Sequence, residues 1–527
     1  MRATRPAPRL RPGVPVPVQV ASISIMSAIP SPASVVDPAV GADEHAARRA
    51  DLGIGVLGVY GAGAVVDAIC TFCLSTLLYF YLTAVCGLSG TAAGGSLAIA
   101  LVADSAIDPL VGSLSDNSRS RFGRRHPFMI GAAIPILVSL GLLFSVPTAL
   151  KGLGLFAYAT ALTLALRSGL SLFNLPYIAL GAELSDDYRK RSTIVAFRVG
   201  VGVMGTLAAI ILSYGVFLKG PGGLLHRSAY EPLAWCCGLI ALVCGLTAGF
   251  GTLGVRERLH RPTAGAGMSL AKFGAELNEV RGNPSFLVLF AACLLFFVAQ
   301  GMAAAMTLHA NTYFWRLPTT AIQAIAFAGI AGVVIGLPLV GVASHLVEKR
   351  TVAMAGLTAI CIAQFTPVLL RLSGAISGSM GAAEATLMAA SVLSGAGVTG
   401  AIVGFQSMMA DAADEHEHLF HSRREGLYFA GISLSAKASS GLGVFIAGLA
   451  MDAIGFPHDI AAKGAGLVIQ AHTARDLGLL YGPGAAVVTL LGVLVLFGYR
   501  LNRNSHAQIL ETLAARRQLN QVPGALA

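Results

Sequence analysis

The stretch Ala103-Asp104-Ser105-Ala106-Ile107-Asp108-Pro109, followed by Gly112, Asp116 and the run Arg119, Arg121, Gly123, Arg124, Arg125, His126, decides how this chain is read. Asp104 and Asp108 are four residues apart, which places them on one face of a helix. They close an apolar run that begins near Thr91. Carboxylates inside a membrane span are costly and usually face a cavity or a partner charge. A pair on one face offers the oxygen ligands that a small hard cation, or a proton, needs. The competing reading is an acidic helix end at the water interface. Pro109 and Gly112 loosen the backbone there, but Asp116 and the arginines mark the exit roughly two turns further on. The reading adopted is a functional, cation-linked pair followed by a basic cytoplasmic loop.

Composition agrees with a membrane setting. Of 527 residues, 55% are hydrophobic and 12% charged, and the mean hydropathy is +0.73. These values describe a polytopic membrane protein and exclude an ordinary soluble enzyme. The net charge of +10 could serve a nucleic acid, but the basic residues cluster in short loops between apolar runs, so no nucleic-acid partner is expected. The eight cysteines are scattered. They read as small apolar residues rather than a metal site or a disulfide framework.

Residues 1–52, rich in Pro, Ala, Ser and Val, read as a disordered tail. Its arginines resemble a transit peptide, and Met26 is an alternative start. Twelve apolar stretches of about 20 residues or more follow. They cover 53–85, 90–114, 127–148, 153–182, 194–218 and 232–254, then 285–313, 321–346, 352–372, 382–410, 425–453 and 480–501. The expected fold is an all-α membrane protein with two six-helix bundles, 53–254 and 285–501. A cytoplasmic connection at 255–284 joins them, with an amphipathic helix expected from Ser269 to Val280, and 502–527 is a cytoplasmic tail. Basic residues favour one set of loops over the other roughly threefold, which places both termini in the cytoplasm. A plasma membrane of a bacterium is the expected location. Six spans, a loop and six more spans is the layout of a carrier with its site between halves near the midplane.

Asp67, about fourteen residues into the first span, falls near mid-bilayer. Arg167, Ser171, Asn174 and Ile178 recur on one face of the fourth span. Arg198 opens the fifth span and Lys437 sits in the middle of the eleventh. Three acids and three bases give the charge balance that a dry cavity requires. Each has a plainer reading: Arg198 snorkelling to the surface, Arg167 bracing two helices, Lys437 the hardest to place outside a cavity. His309 reads as a packing group rather than a proton relay. The cluster Asp411, Asp414, Glu415, His416, Glu417, His418, His421 imitates a metal site but is expected to form an ion-paired gate loop.

These motifs resemble the glycoside–pentoside–hexuronide:cation symporters of the major facilitator superfamily. The acid-xxx-acid-Pro pattern at Asp104–Pro109 with its basic loop, Asn174-Leu175-Pro176-Tyr177, Arg198, and Ala410-Asp411 with Asp414, Glu425 and Lys437 appear in the family's order over about 53–505. The resemblance implies that Asp104 and Asp108 bind the coupling Na⁺, Li⁺ or H⁺, with Ser171 lending an oxygen. It implies that Asp67 and Arg198 hold sugar hydroxyls and that Lys437 couples the two sites. Arg121, Arg124, Asp411 and Asp414 are expected to act in a cytoplasmic gate. The chain departs from the family at Asn174, where an acid is usual, and at Ile178, where an aromatic platform is usual. With Arg167 added on that face, an anionic substrate such as a uronide is better tolerated.

The expected activity is therefore cation-coupled symport of a sugar or glycoside by a monomeric carrier. No cofactor is expected beyond the coupling ion, and there is no GxxxxGK[ST] sequence for ATP. An amphiphile such as a lysolipid as cargo, or drug/H⁺ antiport, are the alternatives. A membrane enzyme would need a nucleophile or metal cluster, for which only 411–421 competes.

Overall fold

The computed structural model describes residues 53–521 except 119, 186, 221, 259–278, 377–379, 423–424 and 464–468. These belong to one compact unit, Arg48–Ala527. The expected tail at 1–52 and most of the amphipathic helix at 269–280 lie outside the described residues, as do Arg119, Arg423 and Arg424.

Twelve helices among the described residues are long and apolar enough to cross a membrane. In chain order they are α1 (Ile54–Val85), α2 (Gly90–Asn117), α3 (His126–Phe144), α4 (Gly152–Glu183), α5 (Lys190–Phe217) and α6 (Arg227–Val255). The second set is α7 (Pro284–Phe314), α8 (Thr319–Leu346), α9 (Lys349–Leu372), α10 (Gly381–Phe420), α11 and α12 (Ala471–Leu496). Helix α11 extends over Glu425–Ala453. A thirteenth helix, α13 (Arg503–Gln521), follows in the tail.

Two boundaries depart from the sequence reading. Helix α10 runs to Phe420, ten residues past the expected 410, so the acidic segment is helix and not a loop. Its charges point at partners from α9 and α13, described below, which makes the extension affordable in water. Helix α12 starts at Ala471, before the apolar run, because a polar turn leads into it through a π-helical turn at Leu480–Gly484.

Local chemistry fixes the helix starts. Ser89 accepts a hydrogen bond from the Ala92 N–H at 3.2 Å and caps α2. Asn283 does the same for α7 through Phe286 N–H at 3.0 Å, with Pro284 in the first turn. The Asn283 amide also donates to the Ala412 carbonyl at 3.1 Å, which pins α7 to α10.

Helices α1–α6 pack together as one bundle and α7–α12 as the other; α2 on α11, α1 on α7 and α5 on α8 join the two. The α2–α11 seam is close enough that a Cβ on Gly448 would meet the Gly90 carbonyl oxygen. Small residues permit this approach where lipid offers no hydrophobic drive for association. Large apolar side chains such as Leu110, Met204, Leu339 and Leu494 remain exposed, as a lipid-facing surface requires.

Candidate functional site

Polar contacts sort the two ends of the molecule. At the end carrying the basic loops, the following ion pairs between described residues lie within a bundle. Arg124 and Arg125 both hold Glu183 at the end of α4, and Arg125 lies 3.2 Å from Asp116. In the other bundle, Lys349 meets Asp411 at 2.7 Å. His506 of α13 lies 3.0 Å from Asp414 and 3.6 Å from Asp411. Arg517 pairs with Glu417 at 2.9 Å.

At the opposite end the contacts cross between bundles. Asp452 of α11 accepts the Gly90 and Thr91 N–H groups of α2, both at 2.8 Å. A carboxylate there meets the positive end of the helix and two of its unpaired donors. His309, fully buried, lies 2.9 Å from the Thr83 hydroxyl, in keeping with a packing role. Among the described residues, these contacts tie the two bundles at the end away from the basic loops.

Mid-way between the ends lies a charged cluster. Asp104 is 3% exposed and Asp108 half-buried on α2. Ser171 of α4 places its hydroxyl 2.7 Å from Asp104 Oδ1 and 2.7 Å from Asp108 Oδ1. Lys437 reaches across from α11, with Nζ 2.8 Å from Asp104 Oδ2 and 2.6 Å from Asp108 Oδ2. Arg167 approaches Asp104 Oδ2 at 3.9 Å and also lies in the field of Asp67. Two carboxylates, one ammonium and one guanidinium give this cluster a formal charge of zero.

The donor set is four carboxylate oxygens and one hydroxyl, all hard oxygen ligands suited to Na⁺, Li⁺ or a proton. The ammonium sits against the same oxygens that such an ion would use. A cation placed there would compete with Lys437 for one pair of carboxylates.

The sugar-binding candidates separate into two groups. Asp67 is exposed although most of α1 is buried, and its Oδ1 accepts from the Asn174 amide at 2.7 Å. Arg198 is not placed against Asp67. It is half-buried on α5 and acts on the hydroxyls of Tyr60 and Tyr177, two turns nearer the basic end. Ile178 is exposed and brings no ring to this surface. Of the expected gate residues, Arg124, Asp411 and Asp414 have partners in their own bundle. The Arg121 guanidinium stacks over the Phe122 ring at 4.9 Å.

Sequence reasoning missed Glu183, Asp452 and His506. Each lies at a helix end or in the tail, where an isolated charge looks solvated, and only its partner from a distant part of the chain gives it a role. Alternation of apolar runs and charges could have flagged Asp452, which ends α11 as the one acid in an apolar stretch.

Similar proteins agree with this architecture. The chain is 25% identical to the symporter sll1374 of Synechocystis sp., over 88% of this chain and 97% of that one. It is 23% identical to an isoprimeverose transporter of Lactiplantibacillus pentosus, over 79% and 84% of the two chains. It is 24% identical to a glucuronide carrier protein homologue of Escherichia coli, over 74% and 82%. Among solved structures, a bacterial homologue of the human lysosomal transporter Spinster superposes with a TM-score of 0.59 at 12% identity, covering 85% of this chain and 98% of that one. Residues 59–503 match the family of MFS/sugar transport proteins, and the chain belongs to that family of membrane transporters, within its glycoside–pentoside–hexuronide group.

Proposed function

We propose that this protein is a symporter that moves a sugar or glycoside together with Na⁺ or H⁺ by alternating access. The observation that carries the reading is Lys437, an ammonium from one bundle held between two carboxylates of the other. A coupling ion entering at Asp104, Asp108 and Ser171 would release Lys437 and with it a tie between bundles. The coupling between ion and sugar in such a device is about 1–3 kcal/mol.

Charge supports an anionic cargo. The cluster is neutral with Lys437 in place, so a bound cation leaves it with one positive charge in a poorly solvated setting. A substrate with one negative charge, such as a uronide, restores neutrality. Of the relatives described above, one is named for isoprimeverose and one for a glucuronide.

The protein is proposed to act as a single chain in a bacterial plasma membrane, with both termini on the cytoplasmic side. The loop-charge asymmetry supports that orientation. The test is counterflow in proteoliposomes with labelled glucose, galactose, xylose and their uronic acids, with and without Na⁺ and a pH gradient. Cation-stimulated uptake with the uronide preferred is expected. Uptake indifferent to both ions, or cation efflux driven by cargo entry, defeats symport; preference for the neutral sugar defeats the uronide assignment.

A further inference from the structure

The last helix, α13, is held to the second bundle by charge more than by burial. It opens on a reciprocal cap: Asn502 Oδ1 accepts the Ser505 N–H and Ser505 Oγ accepts the Asn502 N–H, both at 2.9 Å. The Arg503 N–H then donates to Glu348 Oε2, at the start of α9, at 3.2 Å. His506, Ile509, Leu513 and Arg516 follow at spacings of three, four and three, the stripe that turns toward the protein. Among the described side chains of α13, Leu513 is the one that is buried.

That stripe meets a run of acids. The α10 extension carries Asp411, Asp414, Glu415 and Glu417 within one and a half turns or so. His506 reaches Asp414 at 3.0 Å and Asp411 at 3.6 Å. Arg517 donates to both Glu417 oxygens, at 2.9 and 3.1 Å. Arg516 donates to the His418 carbonyl at 3.1 Å and lies 3.2 Å from His421 Nδ1. Partly exposed ion pairs of this kind each contribute little and weaken with salt. With one buried apolar side chain beneath them, α13 belongs to the segments that detach before the rest of the fold opens.

The first bundle presents cations at this same end. Arg121, Arg124 and Arg125 lie between α2 and α3, and Lys190 and Arg191 open α5. Alternating access brings the basic ends of the two bundles together and apart in turn. Opposite charge on the two ends favours their approach. Each acid that α13 neutralises weakens that attraction, so the tail and the loops of the first bundle are rivals for one acidic helix face.

We propose that α13 is a latch on the transport cycle. Docked on α10, it withholds Asp411, Asp414 and Glu417 from the first bundle and slows closure of the basic end. Released, it lets that end close and the tied end open. The inference rests on the alternating-access reading and on no choice of cargo or coupling ion.

The test is read at the far end, through Thr76 of α1, which lines a cavity shared with the second bundle. Full-length Thr76→Cys protein in proteoliposomes is alkylated by an impermeant maleimide, with the label taken by protein with Thr76 intact subtracted. Adding His506→Gln, Arg516→Gln and Arg517→Gln is expected to lower amide protection in 503–521 at least tenfold. The alkylation rate should rise at least threefold, with no cargo present. Tail protection lost with a smaller rise in alkylation overturns the proposal. A triple variant whose tail stays protected overturns it too, because these contacts would then not be what holds the helix. Should that variant fail to insert, Arg517→Glu, which sets a carboxylate against Glu417, carries the same two readouts. Neither readout involves uptake: absence of cation-driven uptake beside both expected changes strikes the symport reading alone, and the reverse pattern strikes the latch alone.

Discussion

Asp108→Asn removes one charge from the central cluster and keeps its shape. Lys437 Nζ lies 2.6 Å from Asp108 Oδ2. At an effective dielectric of about 20, opposite charges at that distance attract by about 6 kcal/mol before desolvation is counted. Breaking a buried pair costs about 3–5 kcal/mol net. Lys437 keeps Asp104 at 2.8 Å, so folding should survive and the loss should fall on the cation. A loss of about 3 kcal/mol corresponds to roughly 100-fold weaker binding of the coupling ion. With Asp108 neutral, the remaining Asp104, Arg167 and Lys437 carry one net positive charge, as the wild-type cluster does when an ion is bound. The variant should therefore mimic the loaded carrier. Counterflow, which needs only the loaded form, is expected to persist without added cation, while uphill uptake driven by a cation gradient is lost. Both are read in the same proteoliposomes, with membrane insertion checked by surface labelling. Uphill uptake with wild-type cation stimulation in Asp108→Asn, and equally in Asp104→Asn, would refute the reasoning.

Lys437→Gln removes the competitor for the carboxylates and leaves Arg167, 3.9 Å from Asp104, as the nearest cation. Half-saturation by Na⁺ or protons should move to lower concentration, by roughly tenfold for about 1.4 kcal/mol, while net uptake fails; an unchanged value with normal uptake argues against competition. Asp452→Ala deletes two hydrogen bonds at the start of α2. At about 1 kcal/mol each this opens the tied end roughly 30-fold more often. Alkylation of Thr76→Cys by an impermeant maleimide reads the change, and an unaltered rate counts against the tie. His506 is held above its ordinary value of 6.5 by its hydrogen bond to Asp414, with Asp411 adding to the rise and partial burial and Lys349 opposing it. A raised value means that the docked tail binds the proton more tightly than the free tail does. Its contribution to docking is full below about pH 6.5 and is lost as pH rises through the higher docked value. The protection of amides in 503–521 relative to their intrinsic exchange rates should fall between pH 6 and 9, and His506→Gln should flatten that fall; a pH-independent protection in the wild type would contradict the latch.

Much of the architecture follows from sequence because lipid imposes it. A bilayer demands apolar runs of about 20 residues whose backbone groups are paired within the helix, so the twelve spans are legible one at a time. Periodicity alone likewise puts Asp104 above Asp108, and Arg167, Ser171 and Asn174 on one stripe, since helical spacing is a local property. What the sequence could not state is which stripe meets which. Ser171 finds both acids from α4, and Lys437 finds them from more than 300 positions away on α11. Arg198, whose spacing says nothing of direction, faces Tyr60 rather than Asp67. The cavity lined by Gln300, Asn311 and Trp315 gathers neutral residues that carry no charge or motif to mark them. Four of its lining residues, on four different helices, stand in π-helical turns that only the tertiary structure reveals. Local chemistry determined the helices and their charged faces; long-range packing alone decided the partners.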